Sequence, residues 1–348
     1  METNTIDRLD VVLISVLVIT FLGTGLLTLE DYGLTFDETW HFFAGERYLR
    51  FWATFDRTLM DFSRSHPSDN QPSSHSRFDR PDSEPRPAVA NTLSAISCRV
   101  LFAETGLLDA VDAHHVPILL MGAGTMMAVY LLAREGIGRR ASVFAALALA
   151  LSPRFIAHSH FNIKDAPKTF FFTLAIWTFW RATRKRSWGW MLAAGTVLGL
   201  ALGTRINAVL IPFVLFPWLA AQLLRSNSRP SDWPKPWWVA LAAYPLVAGV
   251  TWAATWPLVL VKPLTTLREL FVYWSWLGYG AHELSVWSPY ALLYILIVTP
   301  PLTLLFASLG AIIGLRESLE TSHGTPVLLL LWMAVPLIRT AVPGATNY

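Results

Sequence analysis

The apolar residues of this chain fall into blocks of about 17–25 residues, the length that an α-helix needs to cross the hydrocarbon core of a membrane. Only 15% of all residues are charged, whereas soluble domains carry roughly 25%. We therefore predict an all-α fold, a polytopic transmembrane helical bundle of about nine spans. The predicted spans are residues 10–29, 114–133, 141–157, 166–183, 188–203, 206–223, 237–258, 288–313 and 325–341.

The short connections between these spans predict their orientation, because Lys and Arg accumulate on the cytoplasmic side of a membrane. The connections 134–140, 181–186, 225–236 and 316–320 hold eleven Lys and Arg residues, and the alternate set holds four. The first set is therefore predicted to be cytoplasmic. The N-terminus is then cytoplasmic as well, and the segment 30–113 lies on the external face, either periplasmic or luminal.

The external loop 30–113 carries 14 of the 24 acidic residues of the chain. Its middle, residues 63–87, is rich in Ser, Pro, Asp and His, which predicts a flexible segment that cannot fold alone. Residues 87–104 are apolar but include Arg99 and Glu104, which favours a helix lying in the external interface. The alternative is an ordinary span, which would reverse every later connection and place the arginine-rich ones outside.

We predict a single membrane-embedded domain over residues 1–348. Its one cysteine, Cys98, excludes an intrachain disulfide framework. The sequence contains no long basic run of the kind that binds nucleic acid, so the expected partners are the bilayer and molecules at its surface.

Asp37 and Glu38, in LTFDETWHFF (34–43), begin a predicted surface helix soon after the first span. A carboxylate in a dry apolar pocket can accept a proton from a hydroxyl, so Asp37 is a candidate general base and Glu38 a candidate for placing the substrate. The simpler interpretation is that Asp37 caps the helix N-terminus. Glu38 and His41 also show Glu-x-x-His metal-site spacing, but the second motif that such sites need is missing. No metal or other cofactor is therefore indicated.

A second polar group follows in SPRFIAHSHFNIKDAP (152–167), at the same predicted external face. Interface anchoring explains single charges at such a boundary, but a dozen residues here carry two imidazoles, a carboxylate and two cations. Lys164 suits a phosphate and Asp165 a sugar hydroxyl. The candidate residues of this stretch are Arg154, His158, His160, Asn162, Lys164 and Asp165.

Two arginines and one further loop complete the candidates. Arg205 lies between two spans, nearly alone among apolar residues, and Arg86 lies between two prolines. Either can neutralise a phosphate, and for either a plain snorkelling role is the alternative. His282 and Glu283 lie on the last external loop among Trp and Tyr residues, whose rings suit a membrane interface or the face of a sugar.

Taken in order, these motifs resemble the lipid-dependent GT-C-fold membrane glycosyltransferases, the family of protein O-mannosyltransferases and lipid A aminoarabinose transferases. The resemblance covers nearly the whole chain. It is carried by FDETWHFFAGERY, EPRPAVANTLSAISCRVLF, GIGRR, SPRFIAHSHFNIKDAP, GLALGTRINAVL, WPLVLVKPLTTLRELFVYW and VWSPYALLYILIVTPPLTLLFASLG.

The resemblance implies that one sugar moves from a polyprenyl-phosphate carrier to a lipid, glycan or protein acceptor at the external face. It implies Asp37 as the base, Glu38 in a supporting role and Arg86 at the lipid phosphate, where relatives usually carry His or Lys. Asp165 matches the aspartate that the family carries after its third span. Phosphate contacts by Lys164 and Arg205 are inferred from their charge and predicted side of the membrane, not from the resemblance.

Two features leave alternatives open. The chain ends just past a predicted span, without the further spans or soluble domain of many relatives, so we expect either a fragment or a reduced form. A transporter or lipid flippase, or a non-catalytic membrane scaffold, is the competing function. The clustering of charged residues at one face favours surface chemistry, because transporters place polar groups near the bilayer midplane.

Overall fold

The computed structural model describes residues 6–36, 38–62, 87–225, 230–279, 289–320 and 324–341. Regular structure in these ranges is entirely helical, which confirms the predicted all-α fold. The α-helices in chain order are α1 Arg8–Leu27, α2 Glu38–Thr54, α3 Val89–Cys98, α4 Ala110–Gly136, α5 Arg139–Ala150, α6 Pro153–Phe161, α7 Asp165–Arg184, α8 Trp188–Leu202, α9 Ile211–Arg225, α10 Lys235–Thr255, α11 Pro257–Val261, α12 Pro263–Tyr279, α13 Tyr290–Val298, α14 Pro301–Glu320 and α15 Thr325–Ala341.

Five helical segments within the described ranges are long and apolar enough to cross a membrane. They are α1, α4, the continuous stretch Ile206–Arg225, α10 and the Pro301–Ser318 part of α14. Helices α5 and α6 become a sixth if they are counted as one broken span. The protein is therefore a membrane protein, and the larger number of about nine spans stays a prediction.

Two predicted spans are wrong as continuous helices. The predicted span 141–157 is divided into α5 and α6, which meet at 64°, and the predicted span 288–313 is divided into α13 and α14. In each case a residue before a proline leaves the helical conformation: Ser152 before Pro153, with ψ 114°, and Thr299 before Pro300, with ψ 133°. The proline ring disfavours helical geometry in the residue that precedes it, so these breaks have a local cause.

The stretch predicted as an interfacial helix, residues 87–104, is helical. Helix α3 covers Val89–Cys98, and a π-helical turn continues it over Arg99–Glu104. The exposed side chains of Arg99 and Glu104 form an ion pair at 3.0 Å. Its position in the membrane interface stays a prediction, and the segment 63–86 lies outside the described residues.

The start of α1 is tied to the end of α4 by a buried ionic cluster. Asp10 is fully buried and accepts hydrogen bonds from Arg134 Nε at 2.8 Å, Arg139 Nε at 2.8 Å and Tyr130 OH at 3.0 Å. Asp7 caps α1 and also pairs with Arg139. Buried charges are tolerated when they are paired in this way, so the cluster fixes α1 against α4 and α5.

The other end of α1 lies beside α6. Thr28 Oγ1 is 3.1 Å from His160 Nε2, and the Tyr32 ring stacks on the His160 ring at 4.1 Å between centroids. A helix of 20 residues is about 30 Å long, so the Asp10 cluster and these contacts lie at opposite ends of α1. Helices α4 and α7 end at the same side of the bundle, because Arg181 in the last turn of α7 pairs with Glu135, which follows Arg134 in the last turn of α4. We call the two ends the Arg134 end and the Asp165 end.

Close packing of α8 on α10 supports the Asp165 end from one side. Gly195 and Gly199 are four residues apart on α8, and both lie against the α10 backbone. A Cβ atom at Gly199 would lie 2.6 Å from the carbonyl oxygen of Ala248, and one at Gly195 would lie 3.0 Å from that of Tyr244. Small residues spaced in this way allow helix backbones in membranes to approach closely.

Candidate functional site

The first polar group at the Asp165 end is formed by Glu38 and its partners. Glu38 Oε1 lies 2.9 Å from His115 Nε2, and Glu38 Oε2 accepts a hydrogen bond from the Thr35 backbone N–H at 2.6 Å. The Glu38 and His115 side chains are 1% and 0% exposed. Both carboxylate oxygens of Glu38 are therefore engaged inside the protein.

Helix α2, which begins at Glu38, is not a surface helix as the sequence predicted. It packs tightly on α3, where a Cβ atom at Gly45 would clash with the carbonyl oxygen of Asn91. His41 Nδ1 lies 3.0 Å from Asn91 Oδ1, and both residues are buried. This packing buries one whole face of α2, so the polar residues at its start are held inside the fold.

The second polar group is centred on Asp165, at the first turn of α7. Asp165 Oδ1 is 2.7 Å from Arg205 Nη1 and 3.5 Å from Lys168 Nζ. Lys164 precedes it and interacts with both Asp165 and Arg205. Arg205 is therefore paired, not nearly alone as its sequence surroundings suggested. The three cations and one carboxylate leave an excess of two positive charges, which makes the group suitable for an anion.

The electrostatics of this group follow from burial and close cations. Burial acts to raise the pKa of the Asp165 carboxyl, but the Arg205 guanidinium, the Lys168 ammonium and a hydrogen bond from Asn162 outweigh it and hold that pKa below its usual value. Burial first, and then Arg205, lower the pKa of the Lys164 ammonium, which Asp165 partly counteracts. Asp165 is thus kept ionised beside its cations.

His158 connects this group to α6. Its Nδ1 atom lies 2.7 Å from Asn162 Nδ2, and its Nε2 atom lies 3.3 Å from Arg154 Nε. Asn162 in turn donates to Asp165 Oδ2 at 3.2 Å and accepts from the Asp165 backbone N–H at 2.8 Å. The residues predicted as one tight connection therefore lie on a short helix and the turn after it, and a continuous polar chain runs from Arg154 to Asp165.

His160, the other predicted imidazole, faces the protein interior. It is 1% exposed, and its ring nitrogens contact the Ile156 carbonyl oxygen at 2.7 Å and Thr28 Oγ1 at 3.1 Å. With the Tyr32 ring stacked on it, His160 joins α1 to α6. Its contacts are those of a residue that holds the site together.

The two polar groups are held next to each other by a small apolar cluster. Phe42, Ala90 and Ile118 pack with Ile163 and Ala166, which flank Asp165 in the chain. This cluster joins α2, α3 and α4 to the turn before α7.

A backbone contact strengthens the same junction. The Val89 N–H donates to the Gly203 carbonyl oxygen at 2.9 Å, so the start of α3 lies against the turn that carries Arg205. The structure therefore brings together Glu38, His158, His160, Lys164, Asp165 and Arg205 at one end of the bundle.

Four of the predicted site residues lie outside the described residues, namely Asp37, Arg86, His282 and Glu283. Their described chain neighbours Glu38 and Pro87 both belong to the Asp165 end. The roles of these four residues remain predictions.

Three residues at the site were missed from the sequence: His115, Lys168 and Asn91. His115 carried a usable signal, since HisHis at 114–115 opens an otherwise apolar span. Lys168 lies one turn beyond Asp165, and Asn91 lies in an apolar helix. Each is therefore a polar residue among apolar neighbours in the sequence. Their partners could be identified only from the fold, because Glu38 is 77 residues from His115.

Within the ranges that the structure describes, no group of three or more His, Cys, Asp or Glu side chains is arranged to hold a metal ion. The described polar groups are instead a carboxylate clamped by an imidazole and a carboxylate surrounded by cations. The second arrangement can bind and stabilise a phosphate oxygen.

Comparison with known proteins identifies the same part of the chain. The family model described as dolichyl-phosphate-mannose-protein mannosyltransferase matches residues 109–253. This range begins at the N-cap of α4 and extends through most of α10, so it contains His115, Asp165 and Arg205.

Two relatives from Bacillus subtilis (strain 168) are similar over a shorter stretch. YkcB, provisionally named a mannosyltransferase, is 34% identical over 109 residues, which is 30% of this chain and 15% of that protein. YycA, provisionally named in the same way, is 31% identical over 111 residues, which is 31% of this chain and 16% of that protein. The matched parts are thus a minor fraction of these relatives. No solved structure matches the chain significantly.

The resemblance predicted from the motifs is confirmed by these matches. The family-model match covers the helices that carry the Asp165 group. Over residues 109–253 this chain is thus similar to the dolichyl-phosphate-mannose-protein mannosyltransferases, a GT-C-type glycosyltransferase family.

Proposed function

We propose that this protein is a membrane glycosyltransferase that moves one sugar from a polyprenyl-phosphate carrier to an acceptor hydroxyl at the external membrane face. The observation that carries the proposal is the Asp165 group. It combines Arg205, Lys168 and Lys164 around one carboxylate at the end of a bundle of apolar helices.

The cations suit the leaving group of such a reaction. The prenyl tail of the donor stays in the bilayer while its phosphate lies at the headgroup level, which is where the Asp165 end would meet it. When the bond between the anomeric carbon and the phosphate oxygen breaks, negative charge develops on the phosphate. Preorganised cations stabilise that charge, and this is commonly the largest contribution to catalysis.

A carboxylate completes the reaction. The acceptor hydroxyl oxygen attacks the anomeric carbon, its proton passes to the carboxylate, and polyprenyl phosphate departs with the electron pair of the broken bond. A single displacement of this kind inverts the anomeric configuration. We assign the base to Asp37, since Glu38 is enclosed and has both oxygens engaged.

The experiment that tests the proposal is a comparison of native cells with and without the gene. Mass spectrometry of lipids, glycans and proteins should show a hexose or pentose missing from one class of acceptor in the deletion strain, together with accumulation of the polyprenyl-phosphate sugar. Unchanged acceptors, with a carrier lipid displaced between leaflets, would instead support a flippase.

A further inference from the structure

We propose that His115 is the positioning residue of the acid pair: it clamps Glu38, which bonds back to Thr35, and Asp37 lies between Thr35 and Glu38 in the chain. This inference rests on the proposed function for its catalytic meaning. It assigns Glu38 to placement of the base and not to proton transfer.

The Glu38 side chain is enclosed by the protein. A carboxylate that acted on the acceptor would need a free oxygen facing the substrate. Glu38 is 1% exposed, and its two oxygens are taken by His115 and by the Thr35 N–H. Glu38 therefore touches the protein and not the reacting atoms.

Glu38 also closes a turn at the start of α2. The Thr35 N–H donates to Glu38 Oε2, and the Glu38 N–H donates to the Thr35 carbonyl oxygen at 3.2 Å. The sequence Thr-x-x-Glu with this back-bond is half of a capping box, which fixes the entry into a helix. Phe36 and Asp37 lie between the two anchored residues in the chain.

His115 anchors Glu38 to α4. A carboxylate can only accept, so His115 Nε2 carries the proton of the 2.9 Å contact with Glu38. His115 is fully buried on a helix whose N-terminus is capped by Asp109. Its position is therefore set by a rigid element, not by a loop.

Helix α4 also connects His115 to the Asp165 group. Ile118 lies one turn after His115 on α4 and packs in the cluster with Ile163 and Ala166, beside Asp165. Helix α4 thus contacts the Thr35–Glu38 turn through His115 and the Asp165 group through Ile118. We infer that this common support holds the Thr35–Glu38 turn in place relative to the Asp165 group.

The kinetic test uses two substitutions of His115. In His115→Gln the side-chain amide nitrogen replaces Nε2 as a donor, whereas His115→Leu keeps a similar apolar bulk without a donor. The assay uses mannose-labelled polyprenyl phosphate as donor and native membranes as acceptor. His115→Leu should lower kcat by about 10²-fold, because a displacement near 1 Å has an effect of this size. The KM for the donor should change little. His115→Gln should retain most of kcat. Thr125→Val removes a buried hydroxyl elsewhere on α4, so it should leave kcat and KM near their wild-type values.

A second measurement does not depend on activity. Phe36 is 86% exposed, and Cys98 is the one cysteine of the chain, so Phe36→Cys in a Cys98→Ala background gives one site for a nitroxide label. The label should become more mobile when His115→Leu is added and should stay as restricted as in the parent when His115→Gln is added.

The outcomes separate the two proposals. Equal label mobility in all three proteins, or equal loss of kcat in the Gln and Leu variants, would overturn the positioning role. Absence of sugar transfer by the protein with native His115 would overturn the proposed function, while the label measurement would still decide whether His115 holds the turn.

Discussion

At the scale of single residues, Asp165 is the centre of a group of ion pairs, whereas the sequence predicted it as a contact for a sugar hydroxyl. It holds Arg205 at 2.7 Å and Lys168 at 3.5 Å, and Asn162 fixes its orientation. Because the cations outnumber the carboxylate, a phosphate can join the group without displacing Asp165. We therefore expect the arginine to be more important for the donor than the acid is.

Arg205→Gln should lower kcat/KM for the polyprenyl-phosphate sugar by about 10–100-fold, because one charged hydrogen bond to the phosphate contributes roughly 1.5–3 kcal/mol. Steady-state transfer assays measure this directly. Arg99→Gln, at an exposed arginine paired with Glu104, serves as the control and should transfer at the wild-type rate. Wild-type kinetics for Arg205→Gln would remove this residue from the phosphate site.

The pH dependence of stability reports on Asp165. Its folded pKa is depressed, so the stability that its ion pairs contribute is present above the unfolded pKa of about 3.9 and is lost as the pH falls through the folded value. The side chain is 45% exposed, so we expect a contribution of about 1 kcal/mol or less. The unfolding midpoints of wild type and Asp165→Asn should differ at pH 7 and converge towards pH 3. A difference that persists or grows in acid would contradict the pairing.

The sequence identified three residues of this group, Lys164, Asp165 and Arg205, but not how they pair. Lys164 and Asp165 were found because they are adjacent in a short polar stretch, and Arg205 because it stands out among apolar neighbours. Their contact spans 40 residues and depends on how α7 and α8 meet, which no local pattern contains. His115 was missed for the same reason, because its contact with Glu38 is visible only in the folded protein.

At the scale of helices, the apolar blocks predicted α1, α4, α7, α8, α10 and α15 within a few residues, because length and hydropathy determine a membrane helix. The same pattern could not show that α5 and α6, or α13 and α14, are separate helices. The prolines at those breaks were visible in the sequence, but hydropathy continues across them.

The packing of α8 on α10 offers a matched test of element contacts. Gly199→Ala should destabilise the protein by about 1–3 kcal/mol, because the added Cβ meets the Ala248 carbonyl and Thr251 in a tightly packed interface. Gly249→Ala on α10 places its Cβ in open space and should be neutral or slightly stabilising. Thermal unfolding in detergent compares the two. Equal effects would show that α8 and α10 are not closely packed at Gly199.

At the scale of the whole molecule, the bundle has two chemically different ends. The Arg134 end carries the buried Asp10 cluster and the arginine-rich turns, and the Asp165 end carries the candidate site. The positive-inside rule predicts that the Arg134 end is cytoplasmic and that the Asp165 end is external. This arrangement is what a transferase acting at the external surface requires.

Cysteine labelling tests this orientation. In a Cys98→Ala background, Ser74→Cys should react with a membrane-impermeant maleimide added to intact cells, because the loop 30–113 is predicted to be external. Ser228→Cys, in a predicted cytoplasmic connection, should react only after permeabilisation. The reverse pattern would place the candidate site on the cytoplasmic side.

The central claim, that the Asp165 end carries out sugar transfer with a carboxylate base, is tested most directly by an in vitro assay of the purified chain. Wild type should move labelled sugar from polyprenyl phosphate to an acceptor with inversion of the anomeric carbon. Asp37→Asn should lose at least about 10²-fold in rate, as expected for removal of a general base, with unchanged expression and membrane insertion. Transfer by Asp37→Asn at the wild-type rate would contradict the account.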